Sequence, residues 1–178
     1  MTIDARATDI RATGAQERSD LLQSLSRHRE LLLRTVEGLS DEQARLRSTA
    51  SELCLGGVLK HVAIAEEGWA AFIIEGPGAI GPADEGAYEA HAAGFDMGDA
   101  TVPELVARYG EVARRTDDLV TSLAPLDVCH PLPEAPWFEP GAHWSALRVL
   151  LHIIAETAQH AGHADIIRES IDGAKTMG

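Results

Sequence analysis

The chain has 178 residues, a length that suits a single domain whose core is large enough to fold without disulfides. Aromatic residues supply only 4% of the sequence, and alanine and leucine abound, which favours helices over strands. The 28 acidic residues against 15 basic ones give a formal net charge of -13, which would repel phosphate backbones and argues against a nucleic-acid partner.

Neither the apolar runs nor the cysteines point to a membrane or to secretion. No apolar run reaches the roughly 20 residues that a membrane-spanning helix needs, and the mixed-charge N-terminus lacks the apolar centre of a signal peptide. Two cysteines, Cys54 and Cys129, are too few for a disulfide framework and fit a reducing compartment. We therefore expect a cytoplasmic protein with no membrane partner.

The first half of the chain predicts two long helices. Residues 1–16 show no hydrophobic periodicity and are predicted to be a flexible tail before one domain that spans residues 17–178. Apolar residues then recur at helical spacing as far as Leu39, which predicts the first long helix. Ser40, followed by acidic residues, is typical of a helix cap and predicts a short helical turn. A second helix, small and apolar nearly throughout, is expected from about Cys54 to Ile74.

The second half predicts two further helices separated by long connections. Residues 75–100 hold six glycines and two prolines and are therefore predicted to form a long crossing loop. Thr101 and Glu104 form a capping-box pattern that begins the third helix. A proline-broken connection leads to a fourth helix from about Trp144 to Ile171, which Gly173 ends. The sequence thus predicts an all-α four-helix bundle with a long crossover connection.

The fourth helix carries an unusual polar stripe in the segment "LLHIIAETAQHAGHADII", residues 150–167. At about 100° per residue, the glutamate and three histidines of this segment fall within an arc of roughly 80°. Apolar residues border the stripe, so it is not an ordinary solvent face. The opposite side, which includes Leu147 and Leu151, is expected to face the core. Unpaired buried charges cost several kcal/mol, so the stripe requires partners, and a metal ion would supply them.

Three residues are the candidate metal ligands. Glu156 and His160 stand at i and i+4, the spacing at which two side chains of one helix converge. Such a pair alone is more often a surface ion pair or a capped core histidine. Bundle-core sites are assembled from facing helices, and His61 in "GGVLKHVAIA" is the natural third candidate. Two nitrogens and one carboxylate oxygen leave an open position, which is typical of a catalytic rather than a structural zinc.

The other histidines have weaker claims on the site. His163, one turn beyond His160, is a candidate for proton transfer or for supporting the ligands, and a simple packing hydrogen bond is an equal alternative. His152, one turn before Glu156, is expected to pack. The remaining histidines are interpreted as surface or loop residues: His28, His91, His130 and His143.

The segments "LCLGGVLKHVAIAEEGW" and "LRVLLHIIAETAQHAGHADIIRE" together resemble the DinB-like superfamily, in particular its actinobacterial branch of mycothiol-dependent enzymes. The resemblance covers about residues 17–173. It implies an up-down-down-up four-helix bundle and a metal triad at His61, Glu156 and His160, the glutamate-first kind found in mycothiol-dependent maleylpyruvate isomerases. It also implies that His163 lies next to the metal, where many relatives have a polar residue.

One position departs from the pattern of that superfamily. Relatives commonly have Ser or Thr seven residues before the metal histidine, whereas this chain has Cys54. Two helical turns separate Cys54 from His61 by roughly 10 Å along the axis, too far to share an ion easily. We interpret Cys54 as a residue next to the helix cap, with a catalytic thiol as the less favoured alternative.

The resemblance implies a metal-dependent thiol S-transferase or isomerase. The expected cofactor is a divalent ion, zinc first, with nickel, iron or manganese as alternatives, and the expected cosubstrate is a small thiol such as mycothiol or bacillithiol. The loop of residues 75–100, Trp137 and Trp144 are expected to roof the site where this thiol meets an electrophile. The alternatives are a hydrolase that uses metal-bound water and a non-enzymatic, stress-related metal-binding protein. A homodimer stays open.

Overall fold

The structure, a computed structural model, describes residues 3–81, 85–123 and 125–176. Within these ranges the chain forms six α-helices, one 3₁₀ turn at Gly76–Ala79 and one two-stranded antiparallel sheet. The elements in chain order are α1 (Ile3–Arg34), α2 (Asp41–Ala44), α3 (Leu55–Glu75), α4 (Glu85–Gly94), α5 (Val102–Ser122), β1 (Cys129–Pro131), β2 (His143–Ser145) and α6 (Ala146–Asp172).

The prediction of an all-α helical bundle is confirmed. The four long helices pack against one another, with α6 against α1 and α3, and α5 against α3 and α1. In the part of the chain that the structure describes, no helix is both long and apolar enough to cross a membrane. Because α6 packs against α3, the candidate site residues lie on two neighbouring helices.

The predicted helix caps are present. Ser40 and Thr101 both form capping boxes, the first with Gln43 and the second with Glu104. Gly173 ends α6 with a left-handed backbone at φ 79°, a conformation that glycine adopts at little cost. Local sequence signals thus correctly predicted one end of each of these three helices.

Two predictions about irregular segments are wrong. Residues 3–16 belong to α1, so the first helix does not begin at residue 17, although the predicted flexibility of this segment stays a prediction. The loop of residues 75–100 contains α4, whose sequence "EGAYEAHAAG" is rich in alanine and glutamate between its glycines. The high helix propensity of that run outweighed the glycines that frame it.

The core has two apolar clusters with a polar layer between them. One cluster joins the N-terminal half of α3 to the C-terminal end of α6, and the other joins the opposite ends of the same helices. Between them Arg29, only 5% exposed, donates from Nε to Glu66 at 3.2 Å and from Nη1 to Asp117 at 2.7 Å. Glu66 is 1% exposed, so this ion pair lies inside the bundle and ties α1 to α3 and α5.

The orientation of α6 differs in part from the one predicted, since Leu150 on the expected core face is buried but two other leucines of that face are exposed. Leu147 and Leu151 are 37% and 48% exposed, whereas Val149 and Ile153 are buried at 0% and 2%. The buried face of α6 therefore adjoins the polar stripe instead of lying opposite to it. This rotation directs the stripe towards α3, where the third candidate ligand lies.

Candidate metal centre

His61 is held in one orientation by the segment that follows α4. It is 6% exposed on α3, and the ring of Phe95 stacks on its imidazole with centroids 3.8 Å apart and planes 15° apart. Gly94 lies beside Nδ1 of His61, because a Cβ added to this glycine would be 3.8 Å from that nitrogen. The other ring nitrogen, Nε2, faces α6.

Glycine at the start of α3 allows this segment to approach. A Cβ at Gly57 would lie 1.8 Å from the carbonyl oxygen of Phe95, and a Cβ at Gly56 would lie 2.1 Å from the sulfur of Met97. A larger residue at Gly57 would displace the backbone at Phe95, and one at Gly56 would displace the Met97 side chain. The space that Gly57 leaves is thus filled by the backbone of Phe95, which places its ring on His61.

The structure brings His61, Glu156 and His160 together. Oε1 of Glu156 lies 3.3 Å from Nε2 of His61 and 3.3 Å from Nε2 of His160. One ligand atom from each residue lies within 4.8 Å of the other two. The carboxylate therefore stands between two imidazoles, one from each of two packed helices.

The separations fit a divalent ion. Zinc binds imidazole nitrogen and carboxylate oxygen at about 2.0–2.2 Å, and at tetrahedral angles two such ligands are about 3.3–3.5 Å apart. The two nitrogen-to-oxygen distances of 3.3 Å match this spacing, and the two imidazole nitrogens lie within 4.8 Å of each other. The donor set, two nitrogens and one oxygen, leaves room for a fourth ligand.

Glu156 is strongly anionic. Hydrogen bonds from His160, which have the larger effect, and from His61 hold the pKa of Glu156 well below its usual range. The carboxylate is therefore ionised at neutral pH and does not have to lose a proton before it binds a cation.

His163 lies beside the candidate ligand His160, with ring centroids 5.4 Å apart. In the part of the chain that the structure describes, Nδ1 of His160 and Nδ1 of His163 are both buried without a hydrogen-bond partner. The arrangement agrees with the predicted position of His163, and its role in proton transfer stays a prediction.

His91 was interpreted from the sequence as a surface or loop residue, and its contact with the site was not predicted. It is exposed on α4, yet its ring meets the imidazole of His61 edge-on at 5.2 Å between centroids. The pKa of His91 is lowered, mainly by desolvation and to a smaller extent by the electrostatic effect of His61. The alanine-rich run that contains His91 could have indicated a helix, but its position over the site depends on tertiary contacts.

The structure also settles two minor assignments. His152 packs edge-on against Trp69 and Trp144, with centroids 4.8 and 5.1 Å away, as expected of a packing residue. Cys54 is the N-cap of α3, and its sulfur accepts a hydrogen bond from the backbone N–H of Gly57 at 3.4 Å. Cys54, interpreted from the sequence as a residue next to the cap, is thus the capping residue itself.

Comparison with known proteins identifies a family. The model of the family described as Mycothiol-S-transferase matches residues 20–173, which is most of the chain. No curated protein matches the chain. The match includes all three residues of the triad and both segments that cover them.

Proposed function

Because the chain belongs to the mycothiol-S-transferase family, we propose that it transfers the sulfur of mycothiol to an electrophile in a metal-dependent reaction. The observation that carries this proposal is the triad of His61, Glu156 and His160, whose ligand atoms converge within 4.8 Å. The favoured ion is zinc, with nickel, iron or manganese as alternatives, and bacillithiol is the alternative thiol.

The charge of the triad suits a thiol cosubstrate. A divalent ion supplies the means to lower the pKa of a coordinating thiol so that it ionises near neutral pH. One ionised carboxylate, Glu156, and two neutral imidazoles leave a net charge of +1 on the ion that they would hold. This residual charge favours an anionic sulfur over a neutral ligand as the fourth partner.

The proton of the thiol needs an acceptor close to the triad. We assign this role to His163, because its ring lies 5.4 Å from that of His160 and its Nδ1 has no hydrogen-bond partner among the described residues. Transfer then forms a carbon–sulfur bond, and the proton held by His163 returns to the product or to the leaving group.

Covering groups limit access to the triad from one side. Phe95 stacks on His61, and His91 meets the same ring from the exposed surface of α4. The buried faces of Phe95 and His61 exclude water from that side of the ligands.

The test is turnover measured with and without mycothiol, in protein loaded with one equivalent of zinc. We expect consumption of the electrophile only when both thiol and metal are present, and a loss of at least 100-fold in kcat/KM for His61→Ala. His143→Ala is the matched control, because His143 is exposed and its Nδ1 is bonded only to the carbonyl of Gly141 at 2.9 Å. Turnover that needs metal but not thiol would instead favour a hydrolase.

A further inference from the structure

We propose that an aromatic rim beside the triad binds the electrophile and selects electrophiles that carry an aromatic ring. The inference rests on the proposed function and names the substrate class of the same site. Seven of the eight aromatic residues take part in ring contacts, although the whole chain is only 4% aromatic. The rim is defined by the side chains of Tyr88, His91, Trp137, Phe138, Trp144 and His152.

One side of the rim runs from the triad along α4. The ring of His91 meets that of His61 at 5.2 Å, and Tyr88 stands three residues earlier on the same helix, close to the same face. Tyr88 in turn meets Trp137 edge-on, with centroids 5.7 Å apart. This contact joins α4 to the connection between α5 and α6.

A second series of ring contacts extends from Trp137 towards the α6 side of the triad. Trp137 and Phe138 have centroids 6.1 Å apart, and Phe138 meets Trp144 edge-on at 5.7 Å. Trp144 contacts His152 at 5.1 Å, and His152 is one helical turn from Glu156. Ring contacts therefore connect Tyr88 to His152 through Trp137, Phe138 and Trp144. Helix spacing relates the two ends of this series to the site, since Tyr88 is one turn from His91 and His152 is one turn from Glu156.

The corner of the rim at Trp144 is rigid. Trp69 of α3 stacks on Trp144 with centroids 5.0 Å apart and planes 22° apart. The guanidinium of Arg148 lies 4.2 Å from the centroid of the Trp144 ring. The Trp144 ring is therefore held by contacts with both Trp69 and Arg148.

The opposite corner holds the rings that are open to solvent. Trp137 is 58% exposed and Tyr88 is 52% exposed, and the edge-on contact between them leaves ring faces free. Tyr88 lies on α4 and Trp137 lies on the connection between α5 and α6, and both belong to the series of ring contacts described above. Their free faces can stack on a flat group of a molecule whose reactive carbon reaches the triad.

The reaction balances for a conjugated electrophile. The thiolate sulfur adds to the β-carbon of an acrylamide and forms the carbon–sulfur bond. The electrons of the carbon–carbon double bond move to the α-carbon, which then takes up the proton that the thiol lost. No leaving group, oxidant or further reactant is needed, so the acrylamide is a suitable probe.

The experiment compares two acrylamides that differ only in aromaticity. N-benzylacrylamide and N-(cyclohexylmethyl)acrylamide have the same reactive group and nearly the same size. In metal-loaded protein with mycothiol, we expect kcat/KM to be about 3- to 10-fold higher for the benzyl compound, the range that aromatic stacking supports. Trp137→Ala and Tyr88→Ala should bring the ratio close to one. Leu46→Ala is the control, since Leu46 is 50% exposed outside the rim, and should keep the wild-type ratio.

A second readout does not depend on turnover. Binding of the unreactive N-benzylpropanamide to metal-free protein without thiol is followed by saturation-transfer NMR, with N-(cyclohexylmethyl)propanamide as the reference. The benzyl compound should bind more tightly to wild type, and Trp137→Ala should remove the difference. If turnover is absent but this preference is present, the proposed function fails and the rim stands.

Three results would overturn the assignment of the rim. The first is an equal kcat/KM for the two acrylamides in wild type. The second is a benzyl preference that both Trp137→Ala and Tyr88→Ala retain. The third is a raised KM for mycothiol in these variants with an unchanged benzyl preference, because the rim would then bind the thiol instead of the electrophile.

Discussion

Replacement of Glu156 by glutamine tests the triad through its charge. The amide has nearly the same shape as the carboxylate but lacks its charge, and the carboxylate lies 3.3 Å from both candidate nitrogen ligands. Binding of zinc to a four-ligand protein site is worth about 10–16 kcal/mol, or about 2.5–4 kcal/mol per ligand. We therefore expect Glu156→Gln to weaken metal binding by about 100-fold to 1,000-fold.

This loss of affinity has a measurable effect on thermal stability. A ligand at 1,000 times its Kd stabilises a protein by about 4.1 kcal/mol, and a 100-fold weaker Kd leaves about 1.4 kcal/mol at the same concentration. For a chain of this size 1 kcal/mol shifts Tm by roughly 2–4 °C. The rise in Tm caused by zinc should therefore be about 5–11 °C smaller in Glu156→Gln than in wild type.

Differential scanning calorimetry with and without zinc measures both shifts. Glu169→Gln is the matched control on α6, because Glu169 is half exposed and pairs with Lys175 at the surface. Its zinc-dependent shift should equal that of wild type. An equal zinc-dependent shift in Glu156→Gln and wild type would refute the assignment of Glu156 as a ligand.

Three further predictions concern the metal-free protein and the framework of the site. The pKa of Glu156 is lowered in the fold, so its contribution to stability is complete above the ordinary value of 4.5 and is lost as pH falls below it. The free energies of unfolding of wild type and Glu156→Gln, measured in urea, should therefore converge in acid. A difference that stays constant with pH would contradict this. Arg29→Ala leaves Glu66 buried without its partner and should cost about 3–5 kcal/mol, and a cost below about 1 kcal/mol in denaturant titrations would show that the pair is unimportant. Cys54→Ser keeps a capping group and should leave kcat/KM unchanged, whereas loss of turnover would indicate a catalytic thiol.

Much of the site was predictable because its ligands follow local rules. The i, i+4 spacing of Glu156 and His160 fixes their convergence once α6 forms, and helix periodicity together with the caps predicts that α6 forms. His61 followed from the need for a ligand on a facing helix. The distances of 3.3 Å agree with that reasoning.

The covering groups were not predictable because they depend on tertiary contacts. His91 stands 30 residues from His61 in sequence, and only the approach of the Phe95 backbone to Gly57 brings it to the site. The rotation of α6 depends likewise on its packing against α1 and α3, which periodicity cannot supply for a helix that is apolar on most sides. The cytoplasmic location and the homodimer stay predictions.

The central claim is that His61, Glu156 and His160 hold a metal ion whose open position accepts a thiol. The visible absorption spectrum of the cobalt-substituted protein, recorded during titration with mycothiol, tests it most directly. We expect uptake of one equivalent of cobalt, an intense four-coordinate spectrum, and a new sulfur-to-cobalt charge-transfer band that saturates with mycothiol. Failure to bind cobalt, or a bound-cobalt spectrum that mycothiol leaves unchanged, would contradict it.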